Sequence, residues 1–262
     1  MRRTLGIVLI LAFGILLSAS SCESIQRAAL PFGRAASPEV VFTLPTDGEE
    51  IVYLTIDDGP SELTGEMLAL LAEHQATATF FLHTDHITDP AVLSRMASEG
   101  HNLGNHMPSD RDWSVVDEAA FREAFVRSHC LLAKEGDAYA GWFRPPLGRY
   151  KEEVMGPVLG DAGLSEQRAH FMLASYLPWD AGGATETPTP LFNRHVAARY
   201  GDGLGRTVQA GDIVVFHDGP RLTRTRNSLI SLERFLDHLD RRGLVAQALP
   251  PADFDRGFCH EP

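Results

Sequence analysis

Residues 51–60 read IVYLTIDDGP, an apolar run of strand character that ends on two adjacent carboxylates, Asp57 and Asp58, followed by a Gly-Pro turn. Like charges so close raise each other's pKa and cost stability, so a strand that delivers both to its mouth is expected to use them chemically. Working outward, short apolar runs of the same kind recur at residues 78–83, 102–105, 141–143, 171–176, 212–217 and 244–248. Between them lie segments with apolar residues at helical spacing: 64–74, 91–99, 118–133, 152–162, 191–200 and 228–242. This alternation predicts an α/β fold with about seven parallel strands. In such a sheet functional groups collect at the C-terminal ends of the strands. Asp57 and Asp58 leave the first strand, His106 the third, Arg144 the fourth, Asp180 the fifth and His217 the sixth. Carboxylates, imidazoles and a guanidinium gathered in this way are the parts of a metal-assisted hydrolytic site.

With 262 residues, 44% of them hydrophobic, the chain can bury one sizeable core, and a single barrel of this length is ordinary. Its formal net charge of -12 leaves no basic stripe to follow phosphates, so nucleic acid is not an expected partner.

Residues 1–21 read as a targeting signal. Arg2 and Arg3 form a positive start, residues 5–17 an apolar stretch short for a bilayer span, and Ala19, Ser20 and Ser21 a small-residue stretch before Cys22. The expectation is export. A cysteine in that place resembles a bacterial lipobox, which implies lipidation of Cys22 and attachment to the cell envelope through this anchor only. Ordinary cleavage near the same place, or an uncleaved anchor, is the alternative. Residues 22–47, with three prolines, read as a tether, 48–250 as the catalytic domain and 251–262 as a C-terminal tail. In an oxidising compartment Cys130 and Cys259 could pair, while a free buried Cys130 is the other reading.

Five segments in series carry a family resemblance: TIDDGP, GNHMPSD, RPPLG, PWD and VVFHD. In this order they resemble the motifs of the NodB-homology polysaccharide deacetylases, carbohydrate esterase family 4, across nearly the whole stretch from residue 51 to 248. The resemblance implies a distorted (β/α) barrel and one divalent metal ion (Zn, Mn, Co or Ni). It implies removal of N-acetyl groups from an amino-sugar glycan such as peptidoglycan, a chitin-like chain or an exopolysaccharide.

It also implies roles. Asp58 would be a metal ligand and Asp57 the general base, and the two neighbours then need different environments. Arg144 would hold Asp57 ionised and oriented. Pro145 and Pro146 would fix the following turn, with the Leu147 amide in the oxyanion hole and Pro146 beside the substrate. His217 would protonate the departing amine, with Asp180 orienting its imidazole. Trp179 and Phe216 would wall the acetyl pocket.

The segment around His106 departs from the family pattern, which has a second histidine where this chain has Asp110. At i, i+4 the two side chains share one face of a turn or helix, so Asp58, His106 and Asp110 are the expected ligand set. Two carboxylates would make the site harder and shift its preference away from zinc and nickel towards manganese or another oxygen-loving ion. Asp112 is the competing carboxylate, and an N-cap role for Asp110 is the bland alternative. Arg144 could be a plain structural ion pair and His217 a satisfied core histidine. His83, His86, His101 and His129 read as structural or surface residues.

The leading expectation is therefore an exported, metal-dependent deacetylase of N-acetylated glycan. The alternatives are a glycan-binding protein without turnover on the same fold, and a hydrolase of other small amides or esters.

Overall fold

The computed structural model describes residues 40–41, 43–164, 171–172, 190–252 and 254–260. The run that opens the sequence argument forms strand β2, Ile51–Asp57, and all seven of its residues are buried. Burial on both faces is what a central parallel strand requires, and it explains why the run is nearly continuously apolar rather than alternating. Around it stand β3 (Thr79–Leu82), β4 (Asn102–Asn105), β5 (Tyr139–Phe143), β7 (Ile213–His217) and β8 (Val245–Gln247). They form one parallel sheet in the order β5-β4-β3-β2-β7, with β8 paired to the first half of β2. Two short strands, β1 (Val40–Val41) and β6 (Phe171–Met172), pair separately.

Among the described residues six helices lie between the strands: α1 (Thr64–Glu73), α2 (Ala91–Ser98), α3 (Glu118–Leu132), α4 (Glu152–Asp161), α5 (Pro190–Thr207) and α6 (Leu222–Arg242). The strand–helix alternation read from the sequence is the alternation found. Helix ends follow local chemistry: Asp117 caps α3 by accepting the Ala120 N–H at 2.8 Å. The main core packs Leu54, Ile56, Phe80, Leu82 and Phe216 of the sheet against Leu68, Leu71, Phe235 and Leu239 of the helices. Helices α5 and α6 approach so closely that a Cβ on Gly201 would lie 2.2 Å from the Ser231 carbonyl oxygen. Among the described residues no helix is long and apolar enough to cross a membrane.

Two boundaries sit differently from the sequence reading. Part of the expected tether is paired into the fold: β1 joins β6, and the Leu44 N–H donates to the Gly211 carbonyl at 3.0 Å. The expected tail is likewise attached. Phe254 packs on the core, and Cys259 in the terminal turn Arg256–His260 forms a disulfide with Cys130 of α3. The export signal with Cys22 lies outside the described residues.

Candidate metal centre and active site

All the parallel strands release their chains at one rim, and the register fixes who meets whom there. Leu82 pairs with Asn105 across β3 and β4, so the next residues, His83 and His106, emerge side by side. Their rings stack at 4.6 Å between centroids, with 25° between planes, close to the strand spacing itself. Asp58 follows β2 on the other side of His83. Its carboxylate oxygen Oδ1 lies 3.4 Å from His83 Nε2 and 3.5 Å from His106 Nε2.

Backbone carbonyls set both histidine tautomers. His106 Nδ1 donates to the Arg144 carbonyl at 2.7 Å, and His83 Nδ1 to the Met107 carbonyl at 3.4 Å. A carbonyl only accepts, so each Nδ1 carries the proton and each neutral ring presents its Nε2 lone pair to Asp58. His83 Nε2 is buried without a hydrogen-bond partner among the described residues. Two lone pairs and a carboxylate oxygen aimed at one another are mutually repulsive unless a positive charge sits among them. These are the three groups among the described residues whose donor atoms lie within 4.8 Å of one another. Two imidazoles and a carboxylate, with their outer nitrogens fixed by the backbone, fit a divalent cation.

Asp58 also has φ +72, a left-handed backbone that a non-glycine residue rarely adopts. Its carbonyl accepts from His86 Nδ1 at 2.8 Å, so His86 helps to hold the bend. Such strain persists where surrounding bonds over-determine it.

Asp57 occupies a different environment one residue earlier. It is buried, and Arg144 Nη1 donates to its Oδ1 at 2.5 Å and to Thr55 Oγ1 at 2.9 Å. The guanidinium stacks on the Phe81 ring, 4.2 Å from its centroid. Asp57 is the register partner of His217 on β7, which places carboxylate and imidazole at the same level of adjacent strands. Behind them Asp218 is fully buried. It takes hydrogen bonds from Ser61 and Thr64, tying the turn after Asp58 to the end of β7, and burial pushes its carboxyl up to about 6. A cavity of about 190 Å³ opens onto Asp58, His83, His86, Asp110 and His217.

The polysaccharide deacetylase family pattern matches residues 45–165. A chitooligosaccharide deacetylase of Rhizobium leguminosarum bv. trifolii is 40% identical over 228 residues, spanning 83% of this chain and 98% of that one. The chain belongs to the polysaccharide deacetylase family. A peptidoglycan-N-acetylglucosamine deacetylase of Bacillus cereus is 32% identical over 127 residues, covering 48% of this chain and 46% of the relative. The solved structure of a peptidoglycan N-acetylglucosamine deacetylase has the same fold, with TM-score 0.67 and 24% identity over 84% of this chain and 95% of its own.

In this deacetylase the sequence-derived residues divide. Asp57, Asp58, His106, Arg144 and His217 converge at the strand rim. Asp110 does not join the donor cluster; it is exposed and lines the cavity instead. The reason is local: residues 106–111 form no helix, the chain bends at 108–111, and Met107 turns it at φ +66, so i, i+4 spacing carries no shared face here. The third donor is His83, which had read as structural or surface. Asp112 is engaged elsewhere, accepting from Ser114 and pairing with Arg149.

Phe216 is a second correction. It is fully buried and packs on Phe235 at 5.4 Å, because side chains alternate along β7 and His217 takes the cavity side. Pro146 is buried in the turn after β5, away from the cavity lining. Leu147 has φ +59 and an exposed side chain, and its amide stays out of the turn's own bonds, which run from Gly148 to Pro145 and Arg149 to Pro146. Trp179 and Asp180 lie outside the described residues. His83 and His86 were the residues missed. The usable signal was position, since His83 follows its strand as Asp58 and His106 follow theirs.

Proposed function

We propose that this deacetylase removes N-acetyl groups from amino-sugar oligosaccharides or polysaccharides, with one divalent cation held by Asp58, His83 and His106. The observation that carries the reading is the convergence of two backbone-locked imidazole lone pairs on one carboxylate oxygen beside a buried carboxylate–guanidinium pair. When bound, the cation supplies Lewis acidity towards the acetamide carbonyl and towards water. Asp57 takes the proton of the attacking water, with Arg144 keeping its carboxylate aimed and ionised. His217, in register with Asp57, gives a proton to the departing amine, so that acetate and a free amino sugar leave. The Leu147 amide faces the developing negative charge on the carbonyl oxygen. Asp110 and His86 stand at the cavity wall, where they meet substrate. The names of the relatives, chitooligosaccharide and peptidoglycan deacetylases, support an N-acetylglucosamine-containing substrate.

The same proposal includes export and lipid attachment through Cys22. The disulfide between Cys130 and Cys259 supports an oxidising compartment.

Acetate release from N-acetylglucosamine oligomers and from peptidoglycan, measured on protein stripped with a chelator and reloaded with Zn, Mn, Co or Ni, tests the reading. Turnover restored by at least one metal, with one equivalent bound, is expected. Folded, metal-loaded protein that releases no acetate from any of them would overturn it.

A further inference from the structure

Asp218 is a buried ionisable group that the deacetylation chemistry leaves unused. It follows His217 at the end of β7 and is fully buried. Both of its oxygens are occupied: Oδ1 accepts from the Ser61 hydroxyl and Oδ2 from the Thr64 hydroxyl. These donors are neutral, and no Lys or Arg pairs with the carboxylate among the described residues. A buried carboxylate without a counter-charge is costly, and this one stands behind two others, Asp57 and Asp58. Closing a turn alone would need no such group.

What the carboxylate holds is the stretch 58–64 that joins β2 to α1. Ser61 Oγ also accepts the Leu63 N–H at 3.0 Å, and Thr64 Oγ1 the Ser61 N–H at 2.8 Å, so the hydroxyls that reach Asp218 also close the turn on itself. A Cβ at Gly59 would lie 2.9 Å from Asp218 Oδ2, so the residue after Asp58 is seated against the carboxylate. On the other side, the Asp218 N–H donates to the Asp57 carbonyl at 2.7 Å. Asp58 is therefore fastened before and after its left-handed bend, as a strained donor requires. Two of the three donors depend on this stretch. Asp58 belongs to it, and the Gly59 carbonyl accepts the His83 N–H at 3.0 Å. An asparagine could not replace the acid here, because its amide offers one acceptor oxygen whereas a carboxylate offers one to each hydroxyl.

We infer that Asp218 is a positioning residue for the cation: through Ser61 and Thr64 it fixes the turn that keeps the Asp58 carboxylate opposite the Nε2 atoms of His83 and His106. The inference rests on the reading of those three residues as cation donors, and it adds a residue that touches neither cation nor substrate.

The test measures cation affinity, by chelator competition with Zn and with Mn, and the melting temperature of the cation-free protein. Both are read on wild type, Asp218→Asn, Thr64→Val, Thr64→Ser and Asp117→Ala. Asp218→Asn and Thr64→Val should bind each ion about ten-fold or more weakly, the lower end of the effect of losing an outer partner at a metal site. Thr64→Ser keeps the hydroxyl and should recover most of that affinity. Asp117→Ala removes the α3 cap, so it should lower the melting temperature and yet bind both ions as the wild type does. If Asp218→Asn does not fold, Thr64→Val decides, since it keeps the shape of the side chain and lacks only the hydroxyl. Wild-type affinity in Thr64→Val, equal losses in Thr64→Val and Thr64→Ser, or an affinity loss in Asp117→Ala that follows its melting temperature would each overturn the inference. Wild-type protein that binds neither ion would remove the donor reading and the inference together, whereas a bound ion with unchanged affinity in the variants removes the inference alone.

Discussion

His106 Nδ1 donates to the backbone carbonyl of Arg144 at 2.7 Å, and the guanidinium of that same arginine holds Asp57. One residue therefore serves both halves of the site, its main chain orienting a metal donor and its side chain orienting the base. Arg144 N–H in turn donates to the Asn105 carbonyl at 3.0 Å, so the turn after β5 is stitched to the residue that precedes His106. A change that moves this turn should disturb cation binding and proton transfer together.

The donor set can be separated from its competitor by metal analysis. His83→Ala and His106→Ala should each bind divalent cation at least about 10–100-fold more weakly, the range seen even for loss of outer-shell partners. Asp110→Ala should keep its cation. The measurement is competition with a chromophoric chelator, and retention by His83→Ala together with loss by Asp110→Ala would restore the ligand set expected from the sequence.

Asp57→Asn separates the base from the cation site. The amide still offers an oxygen to Arg144, so the fold should survive with a cost of about 1–3 kcal/mol for the weakened buried contact. Cation content should be unchanged and kcat/KM should fall by roughly 10²–10⁴, the usual worth of a positioned proton acceptor. Normal rates in this variant would remove Asp57 from the chemistry.

The strand exits were legible because parallel strands force the same rule on each: a buried apolar run, then whatever the rim needs. That logic located Asp57, Asp58, His106, Arg144 and His217. It also applied to His83, which ends the run at 78–83, but pairwise ligand spacing hid it. His83 and His106 are 23 positions apart and meet only through the β3–β4 register, which no spacing rule encodes. Asp110 misled for the converse reason: its spacing from His106 is meaningful on a helix, and the chain there bends instead. Phe216 was misplaced by one step of the strand alternation.

Burial of histidines away from the site sets an acid limit on stability. His101 Nδ1 accepts the Ala78 N–H at 3.2 Å, and burial lowers the pKa of this imidazole from 6.5 to about 4. The unfolded chain therefore binds the proton first. The contribution of His101 is fully present above pH 6.5 and is lost as pH falls from 6.5 through about 4, to a total of about 3 kcal/mol. Burial lowers His129 to about 4 as well, adding to the same limb. Urea unfolding between pH 7 and pH 4 should show His101→Gln losing less stability than the wild type across this window. Parallel curves for the two proteins would show that His101 does not titrate as described.

A mutation outside the reacting groups should reach them through packing. Gly104 on β4 is the register partner of Phe81 on β3, and a Cβ at Gly104 would lie 2.7 Å from Phe81 Cδ1. The Phe81 ring has little room to retreat, because it is fully buried and carries the Arg144 guanidinium on its face. Gly104→Ala should thus push the ring into Arg144 and shift the Asp57 carboxylate it holds. Overpacking of this kind costs about 1–3 kcal/mol, and displacement of the base should lower kcat by roughly 10–100-fold. Phe81 also meets the His106 ring edge to face, at 6.4 Å between centroids, so a loss of cation affinity should accompany the loss of rate. Melting temperature, chelator competition and acetate release on one preparation read the three effects separately. Wild-type kcat in a measurably destabilised Gly104→Ala protein would show that Phe81 does not transmit position to the catalytic pair.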